Sequence, residues 1–431
     1  MFKTLGEAFK IKDLRNKILI TLGLLIVYRI GCALVCPGFQ LGEAISASDS
    51  TFFGLMNMLS GDALSNGAIL ALGVSPYITA SIVLQLLTVV IDRLKDLSRQ
   101  GEDGRRKMAL ITRIIALVLA IAQSVGIVVA YQGYINYDGI YLDLPNWLIS
   151  VGIVLILTAG AMFTVWIGEK ITKLGIGNGV SLLIFVGIVS SAGNNLGAAI
   201  SQVGDNIENL WSIIIYLAAL VIIFALIVLL DNSERRVKVS YAKQMKGRRM
   251  YGGQDSFIPV RLNSSGVMPI ILATSLLMLP QLILSFWPNL PAYSWYSKYL
   301  GTDSWFYVVG LAILIFLFAF FYSKITFDTE NISKRLQQQG GFIPGIRPGK
   351  PTAEHLTKIS RRITFFSAMF MAVIALIPSL AFKAIGTVGS FGTLINAFST
   401  TGLMIMVAVA LEFEKGLSSQ MLVRNYKGFL D

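Results

Sequence analysis

The sequence predicts an all-α polytopic membrane protein. Ten transmembrane helices form two five-helix halves as an inverted repeat, and a re-entrant half helix is added to the first half. Three observations predict this. Of 431 residues, 55% are hydrophobic and 14% charged, with mean hydropathy +0.69, against about 25% charged in a soluble domain. Apolar runs long enough to cross ~30 Å of hydrocarbon recur along the chain. The loops between them alternate in charge. Together these exclude a water-soluble domain, a disordered chain and a fibrous repeat.

The first 17 residues carry Lys3, Lys10, Lys12, Arg15 and Lys17. They have no long apolar core and no small-residue cleavage site, so no cleavable leader is expected. Phe2, Leu5, Phe9 and Ile11 sit among the lysines, and 1–17 reads as an amphipathic helix on the cytoplasmic surface. The ten spans fall at about 18–36, 72–91, 109–131, 147–168, 178–200, 211–230, 267–287, 305–323, 363–382 and 394–411. Their interiors lack Asp, Glu and Lys. Arg29, in the last third of span one, reads as the one basic residue inside a span, placed to snorkel to the interface. Cys32 and Cys36 read as small apolar helix residues, since two cysteines make no disulfide framework.

The loops then sort by side. Segments 1–17, 92–108, 169–177, 231–266, 324–362 and 412–431 hold most of the Lys and Arg. The opposite loops hold only Lys298 and Lys383, beside Glu43, Asp49, Asp62, Asp138, Asp143, Asp205, Glu208 and Asp303. An excess of basic residues marks the cytoplasmic side, so both termini are expected there.

Between spans one and two, 52–70 is apolar but punctuated by Asn57, Gly61, Asp62, Ser65, Asn66 and Gly67. Lipid does not tolerate that mixture, so the segment is expected inside the bundle as a re-entrant half helix. The polar groups within spans are Gln85, Gln123, Ser181, Thr274, Ser275 and Gln281. They suit either helix–helix hydrogen bonds or a wet seam. No span interior holds a carboxylate for protons or Na⁺, which counts against an ion-coupled transporter. There is no GxxxxGK[ST], no HExxH and only one histidine, His355. No cofactor, metal site or catalytic group is expected.

The two largest cytoplasmic loops, 231–266 and 324–362, are basic and carry Gly and Pro turns. GGFIPGIRPGKP at 340–351 presents Arg347 at the tip of a shaped loop. Two such loops on one side suggest a docking platform for a large cytoplasmic partner. Ten spans divide five and five. Odd repeats in one bilayer must be inverted, and GVMP at the start of span seven faintly echoes the stretch before span two.

Four stretches, in order, resemble the SecY/Sec61-alpha family of protein-conducting channel subunits. They are ALGVSPYITASIVLQLL at 71–87, GIGNGVSLLIF at 175–185, YAKQMKGRRMYGGQDSFIPVRLNSSGVMPII at 241–271 and GGFIPGIRPGKPT at 340–352. The resemblance implies an hourglass channel of two halves, 18–200 and 211–411, hinged at the external segment 201–210. Its apolar waist would comprise Val74, Ile78, Val180, Ile184, Ile271 and Ile405, with Val at two positions where many relatives have Ile. The half helix would be a plug at about 52–70, including Phe53, Leu55, Met56, Asn57, Leu59, Gly61, Asp62 and Leu64. Gln85 and Ser275 would belong to a lateral gate between spans two and seven.

By the same resemblance, Arg248, Arg249 and Arg347 would dock the ribosome or the SecA ATPase motor. SecE and SecG would be small membrane partner subunits. Signal sequences and nascent polypeptides would pass through the channel or leave it sideways into the bilayer. The expected setting is the bacterial cell membrane. The alternative on the residues alone is an inverted-repeat secondary transporter of small solutes.

Overall fold

The computed structural model describes residues 9–39, 52–135, 145–203, 208–241, 244–246, 249–251, 256–263, 266, 268–285, 295–296, 299–300, 304–385 and 400–427. The elements in chain order begin with α1 (Lys12–Ala33), α2 (Phe52–Ser60), α3 (Ser75–Val90), α4 (Asp92–Arg99), α5 (Gly101–Ala130), α6 (Asn146–Leu174), α7 (Gly179–Val203) and α8 (Glu208–Asn232). Four strands follow, β1 (Glu234–Tyr241), β2 (Gln244–Lys246), β3 (Arg249–Tyr251) and β4 (Ser256–Arg261). Then come α9 (Met268–Ser285), α10 (Trp305–Thr326), α11 (Thr329–Gln338), β5 (Gly341–Phe342), α12 (Lys350–Ile385) and α13 (Thr400–Lys427).

Among the described residues, six helices are long and apolar enough to cross a membrane, so this is a multi-pass membrane protein. A seventh crossing is counted if α3 and α4, bent by 108° between them, are one broken span. Spans six and seven are represented by the shorter apolar stretches Leu220–Asn232 and Met268–Leu277. The expected tenth span, 394–411, is described only from Thr400, where α13 begins.

Several boundaries differ from the sequence reading. The amphipathic helix expected over 1–17 does not end at 17. Ile11 is extended, with φ −89 and ψ 112, and one helix then runs unbroken from Lys12 through the first span. The reason is burial at its base, where Leu14 and Ile18 pack with Ile176 and Leu417. Residues 1–8 lie outside the described residues. The half helix is helical only to Ser60, because Gly61 and Asp62 both take left-handed backbone, at φ 73 and 65. Helix α12 starts thirteen residues before the expected span at 363, inside the predicted loop.

The chain divides into two compact units. The first comprises 1–214, 275–307 and 388–431, and the second comprises 215–274 and 308–387.

In the first unit α5 packs against α3 and α6, α6 against α1 and α7, and α7 against α2 and α13. Arg113 also lies within the predicted third span, so Arg29 is not the only basic residue inside one. Arg113 and Glu169 tie α5 to α6 through a two-pronged ion pair, with Nε donating to Oε1 at 2.5 Å and the second guanidinium nitrogen to Oε2. This fork-to-fork geometry fixes two planar groups at once and is among the stronger polar contacts available.

In the second unit β1 pairs antiparallel with β4, from Glu234↔Arg261 to Val239↔Ser256, and with β5 through Ser240↔Phe342. The sheet order is β4-β1-β5. Val237 and Val239 alternate inward with strand period two. They bury against Val260, Leu336, Ile343, Leu356, Ile359 and Ile363. The two long basic loops are therefore one body with its own core, built on the first turns of α12. Truncating its centre, Leu356→Ala, is expected to cost about 2–5 kcal/mol as a buried large-to-small change. Faster limited proteolysis between 231 and 262 in the solubilised protein, with helix content unchanged, checks this.

Candidate functional site

The site begins where α2 ends. Gly61 N donates to Met58 O at 3.2 Å, and Asp62 N to Asn57 O at 2.9 Å. Asp62 is the one non-glycine with positive φ among the described residues. Asp tolerates this conformation because its short carboxylate accepts local hydrogen bonds. Asn57 closes the turn with both ends of its amide. Oδ1 accepts from Ser65 N at 2.9 Å, and Nδ2 donates to Asp62 Oδ1 at 3.3 Å. Ser60 Oγ donates to Asn57 O and Ser65 Oγ to Asp62 O, each at 2.9 Å.

This polar turn is seated on one face of α7. Gly187, Ser190, Ser191 and Asn194 are spaced three, one and three apart, which puts them on one helical stripe. Ser191 Oγ lies 3.0 Å from Asp62 Oδ1 and 3.2 Å from Met58 O, so its single proton serves both. Asn194 Nδ2 donates to Asp62 Oδ2 at 2.9 Å. Arg29 donates from one guanidinium nitrogen to Gly61 O at 3.4 Å and from the other to Ser190 Oγ. Its guanidinium is thus turned to acceptors inside the unit. A Cβ on Gly187 would collide with Leu59 O, so only glycine allows this backbone approach.

The chain then runs through 63–74 in turns. Ala63, Leu64, Ala68, Leu70, Ala71, Leu72 and Val74 are all 2% exposed or less, which makes this non-helical stretch one of the most buried in the unit. Its backbone is satisfied locally and by the extended end of span one. Cys36 N donates to Gly67 O at 2.7 Å, and Ile69 N to Leu34 O at 2.9 Å. Enclosure is what permits irregular backbone at membrane depth.

The expected site residues fall as follows. Met56 and Leu64 are buried, Asn57, Leu59 and Asp62 are half-buried, and Gly61 lies in the turn. Phe53 and Leu55 belong to α2. Val74 is the buried N-cap of α3, and the half-buried Ile78 follows one turn later. Val180 and Ile184 are one turn apart on α7, and a Cβ on Gly168 of α6 would sit 3.2 Å from a Val180 methyl. Ile405 is buried on α13. Ile271, half-buried on α9, belongs to the second unit. Gln85 and Ser275 are half-buried on α3 and α9.

Arg249 lies in β3, and Arg248 is outside the described residues. Arg347 is exposed in a turn held from both sides. Thr352 Oγ1 donates to Arg347 O at 2.8 Å and Ser333 Oγ to Gly349 O at 2.7 Å, with Gly345 and Gly349 at φ 85 and 97. Among the described residues no cluster of His, Cys, Asp and Glu is placed to hold a metal. Sequence reasoning missed Ser190, Ser191, Asn194 and the Arg113–Glu169 pair. The glycine-and-polar stripe within an otherwise apolar helix was the available signal for the first three.

A SecY family profile matches residues 68–414. The protein translocase subunit SecY of Streptomyces scabiei is 38% identical over 446 residues, covering 100% of both chains. The Mycobacterium tuberculosis protein of the same name is 39% identical over 452 residues, again covering 100% of both. Among solved structures, one described as showing that the plug domain of SecY stabilises the closed state aligns with TM-score 0.64 at 18% identity. It covers 94% of this chain and 92% of that one. Sec61 in the canine ribosome–channel complex aligns with TM-score 0.60 at 17% identity, with the same coverage. The structural likenesses speak for the fold, and the full-length sequence relationship speaks for descent: the chain belongs to the SecY family.

Proposed function

We propose that this protein is the channel subunit of a protein translocase. It passes unfolded secretory polypeptides across the bacterial cell membrane and releases transmembrane segments sideways into lipid. The observation that carries this reading is the short helix α2 with its polar turn, enclosed in a bundle of membrane-spanning helices. A segment that is helical for nine residues and then irregular cannot span a bilayer. It fills space, and its polar groups suit an element that leaves its seat for water.

On this reading α2 and the turn are the plug, and Val74, Ile78, Val180, Ile184, Ile271 and Ile405 form the waist. A collar of apolar side chains sheds water and so blocks ions, yet grips no particular side chain of an extended polypeptide. The five spans of 18–200 and the five of 211–411 are the two halves, hinged at 201–210. Gln85 and Ser275 lie along the seam that opens toward lipid, where an apolar segment partitions out because burial of its surface in hydrocarbon is favourable. Both termini and the sheet-based loop body face the cytoplasm, following the excess of basic residues.

The chain supplies no energy source of its own. A cytoplasmic motor of the SecA class or the ribosome drives transport, docking on Arg248, Arg249 and Arg347, and small SecE- and SecG-like subunits complete the complex. Arg347 suits docking because its turn is pinned while its guanidinium is free to meet carboxylate or phosphate.

Two outcomes are expected. A photo-crosslinker at Ile78 should capture a stalled secretory chain in membranes supplied with motor and ATP, and not in its absence. Silence at Ile78, Ile271 and Ile405 alike in a folded, docked complex would overturn the channel reading. Arg347→Glu should cut motor-driven export by about tenfold or more, as loss of one charged contact implies, with expression and thermal stability unchanged. Normal export by that variant would remove Arg347 from the docking surface.

A further inference from the structure

We propose that Asp62 is the latch of the closed channel, which rests on the reading of α2 and its turn as the plug. Its carboxylate is held by Asn57, Ser191 and Asn194, while Arg29 grips the neighbouring Gly61 carbonyl. Together these contacts set how often the plug leaves its seat when no polypeptide is present.

Three observations converge on this. The first is direction. Apart from Ser191 Oγ on Met58 O, the other contacts given for the segment's seat are close packing, such as Met58 against Gly402 and Leu59 O against Gly187. Contacts of that kind resist separation but not sliding, whereas hydrogen bonds to an ionised carboxylate are strong and oriented. The second is concentration. Asp62 Oδ1 accepts from Asn57 and Ser191 and Oδ2 from Asn194, so one residue joins the turn to itself and to α7. Arg29 links the next carbonyl to Ser190 on the same stripe. Moving this one turn off its seat breaks the Ser191, Asn194 and Arg29 contacts together, which makes release all-or-none.

The third observation is the backbone. Gly61 and Asp62 are consecutive left-handed residues, at φ 73 and 65. Asp tolerates that conformation where its carboxylate is hydrogen-bonded nearby, as it is here by Asn57, Ser191 and Asn194. Once Asp62 leaves α7, its backbone is free to relax, and the seated and released turns become distinct states. The released carboxylate and guanidinium are both solvated by water, so the network holds the plug without making departure prohibitive.

The test uses the complete channel complex reconstituted in planar bilayers, with resting ion conductance measured in the absence of motor and ribosome. Asp62→Ala is expected to raise resting open probability roughly tenfold, the effect of losing about one charged hydrogen-bonded contact. The Ser191→Ala, Asn194→Ala double variant removes the same partners from the α7 side and leaves the Gly61–Asp62 backbone untouched. It should raise conductance comparably, and adding Asp62→Ala to it should change little more. Motor-driven export of a precursor confirms that each complex is assembled.

Deletion of 52–60 separates the two readings. If the deletion raises resting conductance while both sets of point variants stay closed, the latch is overturned and the plug stands. If the deletion itself leaves the channel closed, the plug reading fails and the latch with it. If Asp62→Ala does not assemble, the double variant alone decides, and wild-type closure there overturns the latch.

Discussion

Inside hydrocarbon no solvent molecule can satisfy an N–H or a C=O, and each group left unpaired costs several kcal/mol. The long helices meet this condition by themselves. The stretch from Gly61 to Val74 does not, and most of it is buried within the first unit. Its N–H groups go to its own carbonyls, to Leu34 and to the end of α2 at Asn57 and Met58, and its carbonyls also take donors from Cys36 and Arg29. Its side chains are among the most buried in the unit. Helices α1, α6 and α7 supply walls that make a non-helical path tolerable.

Two materials hold that interior together. One is close apolar packing made possible by small residues, as where Gly187 admits the Leu59 carbonyl and Gly160 admits that of Ile69. The other is a small set of charged or amide groups, namely Arg29 and Asp62 at the half helix and Arg113 with Glu169 between α5 and α6. In lipid the first kind gives proximity without a hydrophobic force between helices, and the second gives orientation. The sheet-based part of the second unit closes on a core of a different kind. Its sheet, α11 and the start of α12 close around a conventional core of Val, Leu and Ile, where water does drive burial.

Apolar length made the multi-pass character of the chain legible, because a span is long and apolar. Ends were less legible. Residues 12–17 look like a surface helix by composition, yet Leu14 and Ile18 bury against Ile176 and Leu417 and draw them into span one. Lys350–Arg362 look like loop by charge, yet Leu356 and Ile359 face the sheet core and make them helix. The sheet itself escaped notice, since the alternation of Val237 and Val239 is short and sits among arginines and lysines. At the half helix, Asn57, Gly61 and Asp62 stood out as polar interruptions. Their partners Ser190, Ser191 and Asn194 did not, because small polar residues in a spanning helix also occur where nothing is docked. Arg29 was legible as an anomaly and not as a ligand of Gly61 O, because the latter needs two segments about 30 residues apart to be seen together.

Helix α12 joins the sheet core to a membrane span. From Lys350 to Leu376, before Pro378, its 27 residues run as one helix, about 40 Å at 1.5 Å per residue. Its first turns are bolted to the sheet through Leu356, Ile359 and Ile363, and its later turns are apolar and of spanning character. There is no flexible joint between the two portions. A push on the basic face is therefore not absorbed by a loop. It arrives in the bilayer as tilt or rotation of a stiff lever, with the sheet as its handle.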